Sequence, residues 1–214
     1  CNLPLDQSYI VTGPPGTGKT VVALYRTYIL KRAKRECRTL MYGKLLSGYV
    51  SSAHDSLQLN GEVMTWHSWV CKFWRANYGG TIPQIERYNY DWPAILSRVN
   101  GEHPANEFVD LLVDEGQDLP NEFYFVLPHL GRTFVVFADE NQAITDQQSR
   151  LEQIRMHTGL PSTSVHELKR NYRNTLEIAR LAARFYTGLS TGIAEMPTRG
   201  GELPVMKRTR DLDE

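Results

Sequence analysis

The segment Gly13-Pro14-Pro15-Gly16-Thr17-Gly18-Lys19-Thr20 limits what this chain can fold into more than any other stretch. It fits G-x-x-x-x-G-K-[ST], a loop that wraps a phosphate group. Tyr9-Ile10-Val11-Thr12 before it is short and β-branched and reads as a strand. Val21 to Ile29 after it reads as a helix with apolar residues on one side. A strand–loop–helix junction is where such a loop has to sit. Gly13, Gly16 and Gly18 can take backbone angles closed to other residues, so the chain can close around an anion. Successive N–H groups and the helix N-terminus then form a positive nest. In that arrangement Lys19 reaches the β- and γ-phosphates and the Thr20 hydroxyl ligates Mg²⁺.

A chain of 214 residues, 22% of them charged, can hold one or two domains and bury a real core. Lys and Arg balance Asp and Glu at 24 each, so net charge does not point to nucleic acid, while a local basic surface stays open. The three cysteines, Cys1, Cys37 and Cys71, have no metal-ligand spacing and read as free thiols in a reducing cytoplasm. Arg26 and Lys31 interrupt the best apolar run, so no membrane span is expected, and no signal peptide is visible. The chain starts at Cys1, a few residues before the first strand, which reads as a segment of a longer protein.

After the loop helix, Lys31 to Arg38 is basic. It reads as a helix C-terminus, where cations suit the dipole, rather than as a nucleic-acid patch. Thr39 to Tyr42 and Val63 to Thr65 read as strands, Leu45 to Leu57 as a helix, and Trp66 to Ala76 as another. Trp69, Phe73 and Trp74 on that last helix read as core. Residues 78–107 hold Gly79-Gly80, Pro83, Pro93 and Pro104 and read as an irregular insertion with one short helix from Trp92 to Val99. Phe108 to Val113 is an apolar strand that delivers Asp114 and Glu115. Asp114 can hold the water shell of Mg²⁺ and Glu115 can polarise a water. Thr133 to Ala138 is a second buried strand, ending in Asp139-Glu140-Asn141-Gln142, from which Gln142 can report on the γ-phosphate. Residues 147–157 read as helical, and Gly159-Leu160-Pro161-Ser162 as a domain boundary. Val165 to Leu168 reads as a strand. Asn174 is placed to cap a helix from Thr175 to Tyr186, and Leu203 to Met206 reads as a strand.

These motifs, in this order, resemble superfamily 1 helicases of the UvrD/Rep type. The phosphate loop resembles the first motif of that family. Val63-Met64-Thr65-Trp66-His67-Ser68 is similar to its T-[FW]-H-S segment, and Asp114-Glu115-Gly116-Gln117-Asp118 to D-E-x-Q-D. Asp139 to Gln142 resembles D-x-x-Q, and Leu168 to Arg173 resembles L-x-x-N-Y-R. The resemblance implies an α/β fold: a RecA-like P-loop NTPase, mostly parallel β-sheet with helices on both faces. It implies a RecA-like ATP-binding domain over 1–163 and the beginning of a second such domain over 164–214. ATP and Mg²⁺ are the implied cofactors, held by Gly13 to Thr20 and Asp114. Glu115, Gln142 and Arg173 would serve hydrolysis, with Arg173 reaching the γ-phosphate from the second domain. Tyr172 would stack on the base, and His67 would lie near the single strand. Single-stranded DNA, or RNA, and the remainder of the second domain are the implied partners. Ala143 to Gln147 lacks the aromatic pair that the family places after D-x-x-Q, and Val21 stands where an arginine often follows the loop threonine. The missing aromatics and the neutral net charge leave open a nucleotide-binding regulatory module without unwinding, and an RNA helicase is the other alternative reading.

Overall fold

The computed structural model describes residues 3–43, 62–102, 104, 109–142, 149–186, 188 and 192–205. Strand β1 (Tyr9–Thr12) leads through the phosphate loop into helix α1 (Lys19–Arg32) and then β2 (Cys37–Met41). β3 (Glu62–Thr65) runs into α2 (Trp66–Asn77). A small antiparallel hairpin, β4 (Gln84–Glu86) with β5 (Asn89–Tyr90), follows, then α3 (Trp92–Gly101). β6 (Asp110–Val113), α4 (Asn121–Leu130), β7 (Phe134–Ala138), α5 (Leu151–His157), β8 (Val165–Glu167) and α6 (Leu176–Ala183) complete the series.

Six strands form one sheet in the order β3-β2-β6-β7-β1-β8, and every pairing in it is parallel. Because side chains alternate across a strand, each central strand feeds two cores. Ile10, Leu40, Leu111, Val113, Phe134 and Val136 face one side, under α2, α3, α4 and α5. Tyr9, Val11, Cys37, Leu112, Val135 and Phe137 face the other, against Ala23 and Leu30 of α1. The handedness of parallel crossovers accounts for the division. The chain steps toward the β3 edge after β1 and toward the β8 edge after β3, so a right-handed connection must cover opposite faces. This is the RecA-like P-loop architecture, a parallel α/β sheet with helices on both faces.

Several sequence readings need correction. Residues 78–107 are not wholly irregular apart from one helix, because β4 and β5 pair there. Tyr88 takes a left-handed φ of 67° at the hairpin tip. The N-cap of α6 is Thr175, not Asn174, and it makes no side-chain cap bond. Residues 203–205 form no strand. The division expected at 163/164 falls inside the sheet. Gly159 and Pro161 end α5, but the chain then returns to the open edge of β1, whose unpaired backbone groups β8 satisfies through Ile10↔Val165 to Thr12↔Glu167. The helix expected from Leu45 to Leu57 lies outside the described residues. Trp69, Phe73 and Trp74 are buried and belong to the core as read from the sequence.

At the amino edge of the sheet a charged cluster closes the structure. Asp110 is 1% exposed, accepts two bonds from the Arg35 guanidinium and one from Thr133 Oγ1 at 2.7 Å. Arg35 thereby ties the end of α1 to β6 and β7, which is where the basic run after α1 spends this charge. Asp110→Ala leaves that cation without its partner. The expected loss is about 2–4 kcal/mol, slightly under a fully buried pair because Arg35 keeps some solvent. Urea unfolding of Asp110→Ala beside Arg35→Ala/Asp110→Ala checks this, the double variant being expected to recover part of the loss.

Candidate functional site

Register brings the site together. Thr12 pairs with Ala138, so Gly13 and Asp139 leave their strands side by side. Leu40 pairs with Val113, and Asp114 N–H donates to Leu40 O at 2.9 Å, so Asp114 leaves β6 at the same carboxyl edge. Crossovers from β1 and β7 run to opposite faces, and the crevice at such a switch point is where open α/β sheets bind ligands.

Two of the three loop glycines take backbone angles closed to other residues, and Gly13 does not. Gly16 and Gly18 have φ of 83° and 93°. A Cβ on Gly16 would also fall 2.5 Å from Asn171 Oδ1, so a side chain is excluded twice there. Thr17 Oγ1 donates to Pro14 O at 2.8 Å and braces the turn. α1 then starts on Gly18 with no side-chain cap and no acidic residue in its first turn. Its leading N–H groups keep the partial positive charge that favours an anion.

Lys19 is buried, and its Nζ donates to Gly13 O at 2.6 Å and to Asp139 Oδ2 at 3.3 Å. Asp139 is fully buried. Its Oδ2 also accepts from Gln142 Nε2, and its Oδ1 from Asn141 N–H at 3.0 Å. Thr20 Oγ1 donates to Asp114 Oδ2 at 3.1 Å, joining the loop to β6. Burial, and then the neighbouring Glu115 charge, push the Asp114 carboxyl up to about 6, against the Thr20 hydrogen bond. Glu115 sits in the left-handed region at φ 52° and ψ 46°. Its N–H donates back to Asp114 Oδ1 at 3.1 Å, and its carboxylate accepts from Gln117 Nε2 at 2.9 Å.

Asn171 to Arg173 lie directly over the loop. Tyr172 N–H donates to Gly16 O at 2.9 Å, and Asn171 Oδ1 accepts the N–H groups of Arg173 and Asn174 at 3.1 Å each. The Arg173 side chain is exposed, and Tyr172 is 69% exposed with the Arg170 guanidinium 5.5 Å from its ring centre. Arg173 therefore continues from β8 of this same sheet. His67 lies apart from the loop, at the carboxyl end of β3, with Nδ1 3.0 Å from the Tyr90 hydroxyl. Burial pulls it down to about 4.

Lys19, Thr20, Asp114, Glu115 and Gln142 thus converge, and the backbone of Tyr172 closes over the loop at Gly16. Asp139 and Gln117 are the residues that motif reading passed over as site members. Asp139 carried a usable signal, being the first polar residue after a fully buried strand. Gln117 was marked only as a position of the D-E-x-Q-D motif, and its reach to Asp139 depends on how β6 and β7 pair. Among the described residues no cluster of three or more His, Cys, Asp or Glu is placed to hold a metal ion. No helix among them is long and apolar enough to cross a membrane.

Residues 5–148 match the AAA_19 family model, an AAA domain. The chain belongs to this AAA domain family. The domain occurs in UvrD/Pif1-type superfamily 1 helicases, and this chain is of that superfamily 1 type. Among solved structures, a Bacteroides sp. Pif1 in complex with ADP-AlF4 is similar at 13% identity and a TM-score of 0.43. That match covers 84% of this chain and 42% of the Pif1 chain. No curated protein matches.

The raised Asp114 carboxyl has a measurable consequence. Its folded pKa lies above its unfolded one, so its contribution to stability is complete below about pH 4 and is lost as pH rises through about 6. Asp114→Asn removes that titration. The melting temperature of the variant minus that of wild type is expected to be more positive at pH 7.5 than at pH 4. A difference that does not change with pH would contradict burial as the main cause.

Proposed function

We propose that this chain is the ATP-hydrolysing module of a superfamily 1 DNA helicase or translocase, coupling Mg²⁺-dependent hydrolysis to movement on single-stranded nucleic acid. The observation that carries the reading is the convergence of Lys19, Asp114 and Asp139 at the mouth of a phosphate loop with open helix N–H groups.

Each residue has a role that its position supports. The loop N–H groups from Gly13 to Thr20 and the Lys19 ammonium would bind the β- and γ-phosphates, with Pro14, Pro15 and Thr17 shaping the turn. The three donors of Lys19 already face Gly13 O, Pro14 O and Asp139, so a phosphate oxygen would take over one of the longer contacts. Mg²⁺ fits beside Thr20 and Asp114, because two oxygens meet there and Asp114 is a buried carboxyl that a cation would restore to its charged form. Bound there, the ion would offset charge on the phosphates. Glu115 would accept a proton from the attacking water. Gln142, fixed on Asp139, would face the γ-phosphate. Arg173 would swing from solvent onto it, and Tyr172 would stack on the base. The remainder of a second RecA-like domain would complete the cleft.

Two measurements test this. Lys19→Ala is expected to weaken Mg²⁺–ATP binding by at least about tenfold, one lost charge-assisted contact being worth about 1.5–3 kcal/mol. Unchanged binding would remove the loop from the mechanism. In the full-length protein, phosphate release is expected to rise on adding an oligodeoxynucleotide and to fall back with added salt. An oligoribonucleotide tested in parallel separates a DNA motor from an RNA motor, and stimulation by neither would sink the motor reading.

A further inference from the structure

Gln117 is 1% exposed, and both ends of its amide are spent on residues of the site. Its Nε2 donates to Glu115 Oε2 at 2.9 Å, and its Oε1 accepts the Asp139 N–H at 2.9 Å. Glu115 follows β6 and Asp139 follows β7. The Gln117 side chain therefore spans the two strand ends that carry the general base and the Lys19–Gln142 anchor.

We propose that Gln117 is a positioning residue that holds Glu115 at a fixed place relative to the γ-phosphate contacts; this rests on reading the site as a triphosphatase. The carboxamide donates to a carboxylate and accepts from a backbone N–H at once, through atoms at its two ends. A glutamate of the same shape keeps the acceptor but turns a negative charge toward Glu115. A methionine keeps the volume and loses both bonds. The need for such a brace is visible in Glu115 itself. A non-glycine residue in the left-handed region is strained and persists where its surroundings hold it. The backbone of the turn has anchors of its own. Tyr124 Oη donates to Gly116 O, Ser149 N–H donates to Gln117 O at 3.0 Å, and Ser149 Oγ donates to Leu119 O at 2.7 Å. Replacing the Gln117 side chain should thus release Glu115 without unfolding the turn.

The test compares wild type, Gln117→Glu and Gln117→Met for binding of ADP and of ADP with aluminium fluoride, both with Mg²⁺. ADP lacks the reacting phosphoryl group, while the fluoride complex imitates the geometry of its transfer, so their ratio reads transition-state positioning. Both variants are expected to bind ADP within about twofold of wild type. Their preference for the fluoride complex should fall about 10–100-fold, the loss typical when a partner that orients a functional ligand is removed. In the full-length protein kcat should fall by a similar factor with little change in KM. Equal losses for the two ligands would mean a structural role only, and unchanged preference would mean no role; either overturns the proposal. A wild-type chain that prefers neither ligand overturns it too, while one that binds no ADP at all refutes the triphosphatase reading beneath it.

Discussion

The Lys19–Asp139 ion pair is the contact on which the rest of this site depends. α1 carries a lysine under the loop into a place that is 7% exposed, and a cation there needs an anion. β7 supplies one because its last residue, Ala138, is in register with Thr12, the last residue of β1. The same carboxylate then collects Gln142 and the Asn141 N–H, while its own N–H is held by Gln117. One buried aspartate therefore joins the loop, the segment after β6 and the segment after β7. A slip of one residue between β1 and β7 would turn every side chain of the strand to the opposite core and separate these groups together.

Asp110, Asp114 and Asp139 are all buried at strand ends of this sheet, and their surroundings give them different work. Asp110, at the amino edge, is saturated by Arg35 and Thr133 and serves the fold. Asp139 is saturated by Lys19, Gln142 and the backbone and organises the site. Asp114 has the Thr20 hydroxyl and its neighbour's N–H, sits beside another carboxylate, and is the one pushed up to about 6. A buried acid next to another acid is where an external cation gains most.

The segment after β8 changes how the loop is covered. Leu168 N–H continues the pairing to Thr12 O at 2.7 Å, and Tyr172 N–H bonds Gly16 O. Residues 192–201 then run alongside it in the same direction, with Arg170 and Glu195 in a parallel bridge, Glu195 N–H donating to Lys169 O at 2.7 Å and Asn171 N–H to Glu195 O at 3.3 Å. The phosphate loop is thus clasped from its own sheet. Arg173 and the Tyr172 ring are left outward while their backbones stay fixed.

By itself the sequence determined the phosphate loop, the strand–loop–helix junction around it, and the two acids at the end of β6. These are local features: glycine and lysine spacing, β-branched runs, and polarity that changes at a strand end. The parallel α/β class was implied by the family resemblance that these motifs carry. The tertiary structure decided what depended on pairing between distant strands. It placed β8 in this sheet, because an open strand edge takes the next strand that reaches it. It chose Asp139 as the partner of Lys19, 120 residues away, through the register of β1 and β7. It also turned Gln117 from one letter of a motif into the link between Glu115 and Asp139. The loop that first announced a bound phosphate is held in its working shape by contacts that no local pattern encodes.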